Sequence, residues 1–535
     1  MFSYFRSFGI CIILLVLLAI LPVPSKSQQH LNIDEGWKFH FGNAADPSKD
    51  FNYGVANIFA KTGGAYGTAI DPKFNDSAWR SLNLPHDWAV ELPFAQVDNF
   101  DVESHGYKPV GGLFPATSIG WYRKHFTVLA ADSDMRFQLQ LDGIFRKASI
   151  WVNGIFVGNN MSGYVSAYYD ITDFLKWNAD NVIVIRVDAT QYEGWFYEGA
   201  GIYRHVWLNK MNPLHFAANG VYIHSAVVAN KAIVFVNATI SNETMAQKNA
   251  VVYTYLSERN GKLVALSAKQ TISITAGGTS VIQQSIPVIH PHLWSIDDPY
   301  LYRVTTIIQS GNVMIDSVTY RVGIRTIRFD AEKGFFLNGV NIKIHGTNNH
   351  QDHAGLGSAL PDAMQYYRIR LLKDMGANAY RTSHNAPTPE LLDACDSLGM
   401  LVLDEQRLLN SSPEYMHQFE TLIKRDRNHP SVFLWSIGNE EGWIQTTDVG
   451  KRMASTLLAK QKALDPSRTS TYAADLGNMV NGNQQPIQVG MCFSVEPTIV
   501  VPGEMGLRLE DCAYIAEDGP HWFSKPAHNI DTPFA

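Results

Sequence analysis

The residues best placed to do chemistry lie in SVFLWSIGNEEG, from Ser431 to Gly442. Val432, Phe433, Leu434, Trp435 and Ile437 form an apolar run that suits a strand buried on both faces, as in a parallel sheet. The run ends abruptly in Gly438-Asn439-Glu440-Glu441. A carboxyl at the carboxyl end of a buried parallel strand sits where β/α barrels place their reactive groups, and there it can serve as acid, base or nucleophile. Taken alone, the segment fits a strand and a solvated loop equally well.

The neighbouring elements favour the chemical reading. From about Asp330 the pattern alternates strand and helix. Met364, Tyr367, Leu371 and Met375 are spaced as an apolar helical stripe that Gly376 ends. Ala377–Tyr380 follows as a strand. Thr388-Pro389 caps a helix that stops at Gly399, and Met400–Leu403 is the next strand. Ser412-Pro413 opens another helix before Val432–Ile437. A helix near Asp448–Leu464 and a strand at Thr469–Ala473 complete a series of about five strands, where a closed barrel needs eight. A polar cluster follows each of the first four strands: HGTNNHQDHAGLG (His345–Gly357), RTSHNAP (Arg381–Pro387), DEQR (Asp404–Arg407) and Asn439-Glu440. Clusters after successive strands converge on one pocket. Before the barrel, Phe335–Leu337 and Val340–Ile344 flank Asn338-Gly339 as a small hairpin at the barrel floor.

The chain ahead of that is mostly β. Ile150–Val152 and Ile155–Val157 flank Asn153-Gly154, a pair that favours a type I′ turn. Short strands recur to about Asn212, as in a jelly-roll sandwich. Val251–Leu256, Thr271–Ala276 and Tyr302–Ile308 alternate like half-buried strands of an immunoglobulin-like sandwich.

The 535 residues imply three or four domains, and 46% hydrophobic with 17% charged residues describes a globular chain. Arg6, the apolar run Ile10–Leu21, Pro22, Pro24, Ser25 and Ser27 form a secretory signal pattern, cleaved near Ser27-Gln28. The mature protein is then expected to be secreted, or lysosomal or periplasmic depending on the host. A membrane anchor is the alternative, although the run is short for a span. Losing Arg6 and Lys26 takes the formal charge from −7 to −9. No basic cluster supports a nucleic-acid partner. Cys395, Cys492 and Cys512 give no disulfide framework. Sequons at Asn75, Asn160, Asn237, Asn242 and Asn410 would permit glycosylation in a eukaryotic host.

RNHPSV joined to WSIGNE closely resembles glycoside hydrolase family 2. GWYRKHF (Gly120–Phe126), WVNG (Trp151–Gly154), GAGIYRHVWL (Gly199–Leu208), LWSIDDPYLY (Leu293–Tyr302) and GIRTIRFD (Gly323–Asp330) resemble other parts of that family, so the likeness runs from about Gln28 to Met479. It implies a jelly-roll sugar-binding domain at 28–212, an immunoglobulin-like sandwich at 213–329 and an incomplete (β/α)8 barrel at 330–479. It implies a retaining glycosidase, β-galactosidase-like, with a β-galactoside or related carbohydrate as substrate and no cofactor. The alternatives are another activity of the family, such as β-glucuronidase or β-mannosidase, or a non-catalytic carbohydrate-binding protein. By the resemblance Glu440 is the general acid/base and Asn439 hydrogen-bonds the sugar 2-hydroxyl. His353 and His384 contact sugar hydroxyls or stabilise the transition state, and Arg381 orients carboxylates. Glu405 binds substrate or only holds Arg381. Glu441 is read as a solvated neighbour. LLNSS (Leu408–Ser412) lacks the carboxylate and His that metal-dependent relatives use there.

A retaining enzyme needs two carboxyls roughly 5–5.5 Å apart, an acid/base with a raised pKa and a nucleophile. The family places the nucleophile at the end of a seventh strand, and no such segment is found. From about Val480 the chain instead resembles the end of the creatinase and Xaa-Pro aminopeptidase family, a pita-bread fold, through GNQQPIQVGMCFSVEPTIVVPGEMGLRLEDCAYIAEDGP (Gly482–Pro520). Glu496 and Glu510 match metal ligands of that family. The other ligands are missing, so neither a metal site nor a metallopeptidase is expected.

Overall fold

The structure, a computed structural model, describes residues 28–473 apart from 57, 96–107, 195 and 331, together with parts of 489–522. The proposed signal segment 1–27, Glu496 and Glu510 lie outside the described residues.

The first sandwich pairs a four-stranded with a six-stranded sheet. Its hairpin joins Ala148–Val152 to Ile155–Asn160 through Asn153 (φ 52°) and Gly154 (φ 83°), the two positive φ values of a type I′ turn. The second sandwich stacks a three-stranded sheet on a five-stranded one over its own apolar core. Two expected sequons are closed by this packing. Asn160 is buried, and buried Asn242 donates Nδ2 to the carbonyls of Ala246, Ile274 and Thr275, so neither can carry a glycan in the folded chain.

The third region is a five-stranded parallel sheet. Its strands are β1 (Gly346–Asn348), β2 (Ala379–Arg381), β3 (Leu401–Glu405), β4 (Val432–Asn439) and β5 (Thr469–Ala473), side by side in chain order. Helices α1 (Asp362–Asp374), α2 (Pro389–Leu398), α3 (Pro413–Asp426) and α4 (Asp448–Leu464) make the crossovers. Helix α2 ends where Gly399 turns left-handed at φ 76°. The Asn338-Gly339 hairpin, Gly334–Leu337 with Val340–Ile342, sends Phe335 and Leu337 into one buried cluster with Trp294, Leu401 and Phe433 at the lower ends of the strands. One expectation fails. Tyr367, Leu371 and Met375 of the α1 stripe are exposed, and the buried positions are Gln365 and Ile369 with Leu372 packed beside them. Both rows have helical spacing, one residue out of phase, so periodicity did not select the face.

Beyond β5 the described backbone changes character. Cys492–Val495, Asp511–Ala516 and Gly519–Trp522 form an antiparallel sheet, and Thr498–Val501 pairs with Met505–Arg508.

The jelly roll and the barrel share one continuous apolar core, which runs from Trp37 and Trp88 to Leu392 and Trp435. Buried Arg204 crosses the seam. It donates to the carbonyls of Tyr164 (2.7 Å), Ala386 (2.7 Å) and Pro387 (3.1 Å) and to Gln351 Oε1 (3.0 Å). His205 sits beside it, with Nδ1 2.5 Å from Asp34 and Nε2 2.9 Å from Asp362 at the start of α1. Burial opposes the charge on His205, but the bonds to Asp34 and Asp362 outweigh it and hold the imidazolium up to about 10. The unfolded value is about 6.5, so this clamp stabilises fully below that pH, weakens above it and is lost near 10. The melting temperature is therefore expected to fall between pH 7 and 10, and His205→Gln should flatten that part of the profile in a thermal-denaturation series. An equal pH slope in the variant would show that the clamp contributes nothing.

Candidate active site

The upper ends of β2, β3 and β4 meet at Glu405. Its side chain is fully buried, and its backbone N–H donates to Thr382 Oγ1 at 2.9 Å. One carboxylate oxygen takes Arg381 Nε at 2.7 Å, and the other lies 2.7 Å from His384 Nδ1. Arg381 also donates to Asn439 Oδ1 at 2.5 Å and to Asn348 Oδ1 at 3.3 Å, so one guanidinium ties the ends of β1, β3 and β4 together. A charge-assisted fork of this kind fixes direction as well as distance. Below Glu405, Asp404 is fully buried. Burial together with Asp426 raises Asp404 far above the usual carboxylate range, and neither Asp404 oxygen has a hydrogen-bond partner among the described residues, while Asp426 takes two bonds from Arg425 (2.6 and 2.7 Å).

Local geometry explains how β4 presents its acids. The β4–β5 register shifts between Ser436 and Asn439, a bulge at the strand end. Gly438 has φ 153°, and a Cβ there would stand 2.7 Å from Leu409 N. Only glycine fits that approach. Asn439 is buried with Nδ2 lacking a hydrogen-bond partner among the described residues. Glu440 follows in the left-handed region at φ 48° and is exposed. A non-glycine residue held there is a local strain that the surrounding structure must impose.

Glu441 corrects the expectation of a solvated neighbour. It is partly buried, and its carboxylate accepts from Leu409 N (3.1 Å) and Tyr472 Oη (2.7 Å) on β5, while its own N–H donates to Tyr472 Oη at 3.0 Å. Burial raises its pKa. Glu441 is the anchor, and Glu440 is the acid left exposed.

The five residues Arg381, His384, Glu405, Asn439 and Glu440 therefore gather at neighbouring strand ends. His353 does not join them by any hydrogen bond among the described residues. It sits on the loop after β1, its N–H donating to Gly357 O and its Nδ1 3.0 Å from Ala354 O. The ring that packs against His384 is His350, at 5.4 Å, and His350 stacks on Phe196 at 4.7 Å. Phe196 comes from the jelly roll, on the segment Glu193–Gly199, and lies 5.3 Å from the Arg407 guanidinium. That segment is braced by buried Glu198, which accepts from Tyr164 Oη, Glu193 N and Gly194 N and which burial pushes up to about 7. Asp87 holds both the segment and the β1 loop, taking Tyr197 Oη (2.9 Å), Ala200 N (2.9 Å) and Ser358 N (2.9 Å). Neither Phe196 nor Asp87 carries a motif, so nothing in the linear sequence marks them.

Among the described residues two groups have metal-binding spacing, His205 with Asp362 and Glu390, and Asp393 and Asp396 with His429. Both contain ion pairs: His205 with Asp34 and Asp362, Asp393 with Arg321, and Asp396 with His429.

Comparison with known proteins agrees with this architecture. The model of the galactose-binding-like domain of glycosyl hydrolase 2 matches residues 117–208, that of glycosyl hydrolases family 2 matches 216–325, and that of the family 2 TIM-barrel domain matches 330–496. The chain is 37% identical to β-galactosidase BoGH2A of Bacteroides ovatus, across 86% of this chain and 55% of that protein. It is 32% identical to a putative β-glucuronidase of Formosa agariphila, across 88% and 42%. A solved family 2 member from Bacteroides cellulosilyticus superposes with a TM-score of 0.72 at 33% identity, covering 84% of this chain and 58% of that one. The chain thus spans about half the length of the curated relatives it matches. Residues 117–208, 216–325 and 330–496 thus match the three domains of glycosyl hydrolase family 2.

Proposed function

We propose that the site binds the terminal sugar of β-glycosides, β-galactosides first, in the orientation used by a retaining glycosidase, with Glu440 as the acid/base. The observation that carries this is the Asn439–Arg381–Glu405–His384 network beneath an exposed, left-handed Glu440. Asn439 is fixed through Oδ1, which leaves buried Nδ2 to donate to a sugar 2-hydroxyl. A buried donor without a partner is a cost that such a bond relieves. His384, and His350 in place of the expected His353, frame the pocket with Phe196. Galactose is preferred over glucuronic acid or mannose because of the RTSHNAP and HQDHAGLG loops and because a 37%-identical relative is named a β-galactosidase. We place the mature protein outside the cytoplasm on the strength of residues 1–27. Among the described residues no helix is long and apolar enough to cross a membrane.

Retaining hydrolysis also needs a nucleophile facing the acid. Among the described residues Glu405 is bonded to Arg381 and His384 and Glu441 to Leu409 and Tyr472, while Asp404 is buried beneath Glu405. This favours a second reading, sugar binding with impaired turnover. We read 480–535 as a fragment resembling the creatinase and Xaa-Pro aminopeptidase end. Its antiparallel pairing, unlike the parallel β1–β5, supports that reading.

Calorimetry is expected to detect β-galactoside binding while turnover of a chromogenic β-galactoside stays near background. Robust turnover abolished by Glu440→Gln would instead reveal a complete catalytic pair. Glu405→Gln is expected to weaken galactoside binding by about tenfold or more, because a neutral amide no longer holds the Arg381 fork and Asn439 loses its fixed orientation. Unchanged affinity in that variant would remove Glu405 from the account.

A further inference from the structure

Arg325 carries its charge to the lower end of β4 and pairs with no carboxylate among the described residues. Its Nε donates to Pro430 O and its Nη2 to Val432 O (2.6 Å), while Nη1 makes no hydrogen bond among the described residues. Arg468 Nε donates to the same Val432 carbonyl at 2.6 Å, so two guanidinium groups stand side by side. Arg468 has a counter-ion in Asp465 at 2.7 Å. Burial and the Arg468 charge bring Arg325 down to about 9. A buried cation without its own counter-ion is costly, and a bound anion relieves that cost.

Both arginines line a cavity of about 340 Å³ between the immunoglobulin-like sandwich and the floor of the barrel. Small-ligand pockets run from roughly 300 to 1,000 Å³. No Asp or Glu is among the lining residues, and Ala226, which is exposed, marks the rim. His224 also lines the cavity, held flat between Tyr222 and Phe235 at 4.8 and 5.0 Å. Its Nδ1 is buried with no hydrogen-bond partner. Burial lowers its pKa, so the ring is neutral at pH 7 and Nδ1 can carry the proton and donate. The strand Leu214–Val228 adds backbone donors. Ile223 N bonds Asn428 Oδ1 at 2.8 Å, and alternation along an antiparallel strand turns the N–H groups of Ser225 and Val227 to the same edge. That strand pairs only with Lys231–Asn242 among the described residues, so the edge beside the cavity is unpaired.

Donors therefore converge from the sandwich exit, from the barrel floor and from a strand edge. Three directions suit a tetrahedral oxyanion better than a flat carboxylate, and guanidinium forks and sheet edges are both anion binders. We propose that this cleft binds a small phosphate or sulfate ester, its anion against Arg325 and Arg468 and its organic part in the remaining volume. The cleft lies at the opposite ends of the strands from Glu440, so its occupancy is independent of the galactoside site. A bound ester bridges the sandwich and the barrel, and a ligand that binds only the folded chain stabilises it.

The test is calorimetry and thermal denaturation of the full chain with inorganic phosphate, inorganic sulfate, glycerol 3-phosphate and acetate, for the wild type, Ala226→Glu, Ala226→Gln and Arg325→Gln. The wild type is expected to bind phosphate or sulfate saturably, with a rise in Tm, and acetate at least about tenfold more weakly. The tighter of phosphate and sulfate names the ester, and glycerol 3-phosphate should bind at least as tightly as phosphate. Ala226→Glu sets a carboxylate at the rim and should weaken phosphate binding about tenfold or more, whereas the neutral Ala226→Gln keeps it. Arg325→Gln should lose it. Ala226 is exposed, so its two variants should fold like the wild type and carry the test if Arg325→Gln does not fold. No saturable binding of phosphate or sulfate in the wild type overturns the site. So does an unchanged affinity in Ala226→Glu or in a folded Arg325→Gln, or acetate binding as tight as phosphate. Glycerol 3-phosphate binding more weakly than phosphate overturns the ester as ligand.

Discussion

The site depends on one buried ion pair. Glu405 has lost all contact with water, and Arg381 and His384 meet its carboxylate from the end of β2. A buried carboxylate with one partner removed is strongly destabilising, by about 3–5 kcal/mol. That penalty ties three neighbouring strands to one arrangement of their upper ends. The same guanidinium reaches Asn439, so the direction of an amide on β4 is set by a carboxylate on β3. Rigidity of this kind would orient the proposed sugar ligand without reorganisation when it arrives.

The jelly roll supplies the outer wall of the pocket. Phe196 against His350, Asp87 on the β1 loop and Arg204 on the carbonyls after β2 are all contacts between segments far apart in the chain. A shared apolar core makes the two domains one unit there. The immunoglobulin-like sandwich grips the opposite end of the barrel strands. Asn428 bonds Ile223 and Val221, and Tyr222 donates to Asp465, which Arg468 also pairs. Support is therefore concentrated at the floor and one side of the parallel sheet, and β5 is its outer strand among the described residues.

Much of this was legible from the chain. Strand β4 announced itself by an apolar run too long for a half-exposed strand, and the polar clusters after β1–β4 marked the upper rim. Helices α2 and α3 begin at Thr388-Pro389 and Ser412-Pro413, where a Pro at the first helical position marks the start although neither Thr388 nor Ser412 makes a side-chain cap bond. The failures share a cause. Which of two adjacent acids is anchored depends on Tyr472 and Leu409, and which of two loop histidines turns inward depends on Phe196. The buried face of α1 was decided in the same way, by its neighbours and not by its period. Tertiary partners of this kind leave no local mark.

The central proposal is that this chain orders the acid side of a retaining site and that its described residues place no carboxylate across the anomeric carbon. A crystal structure with a non-hydrolysable galactoside measures it directly. The account predicts the sugar seated on Asn439, the Glu440 carboxyl beside the glycosidic oxygen, and no second carboxylate across the ring. A carboxylate roughly 5–5.5 Å from that of Glu440 on the far side of the anomeric carbon, or a sugar bound elsewhere, would contradict it.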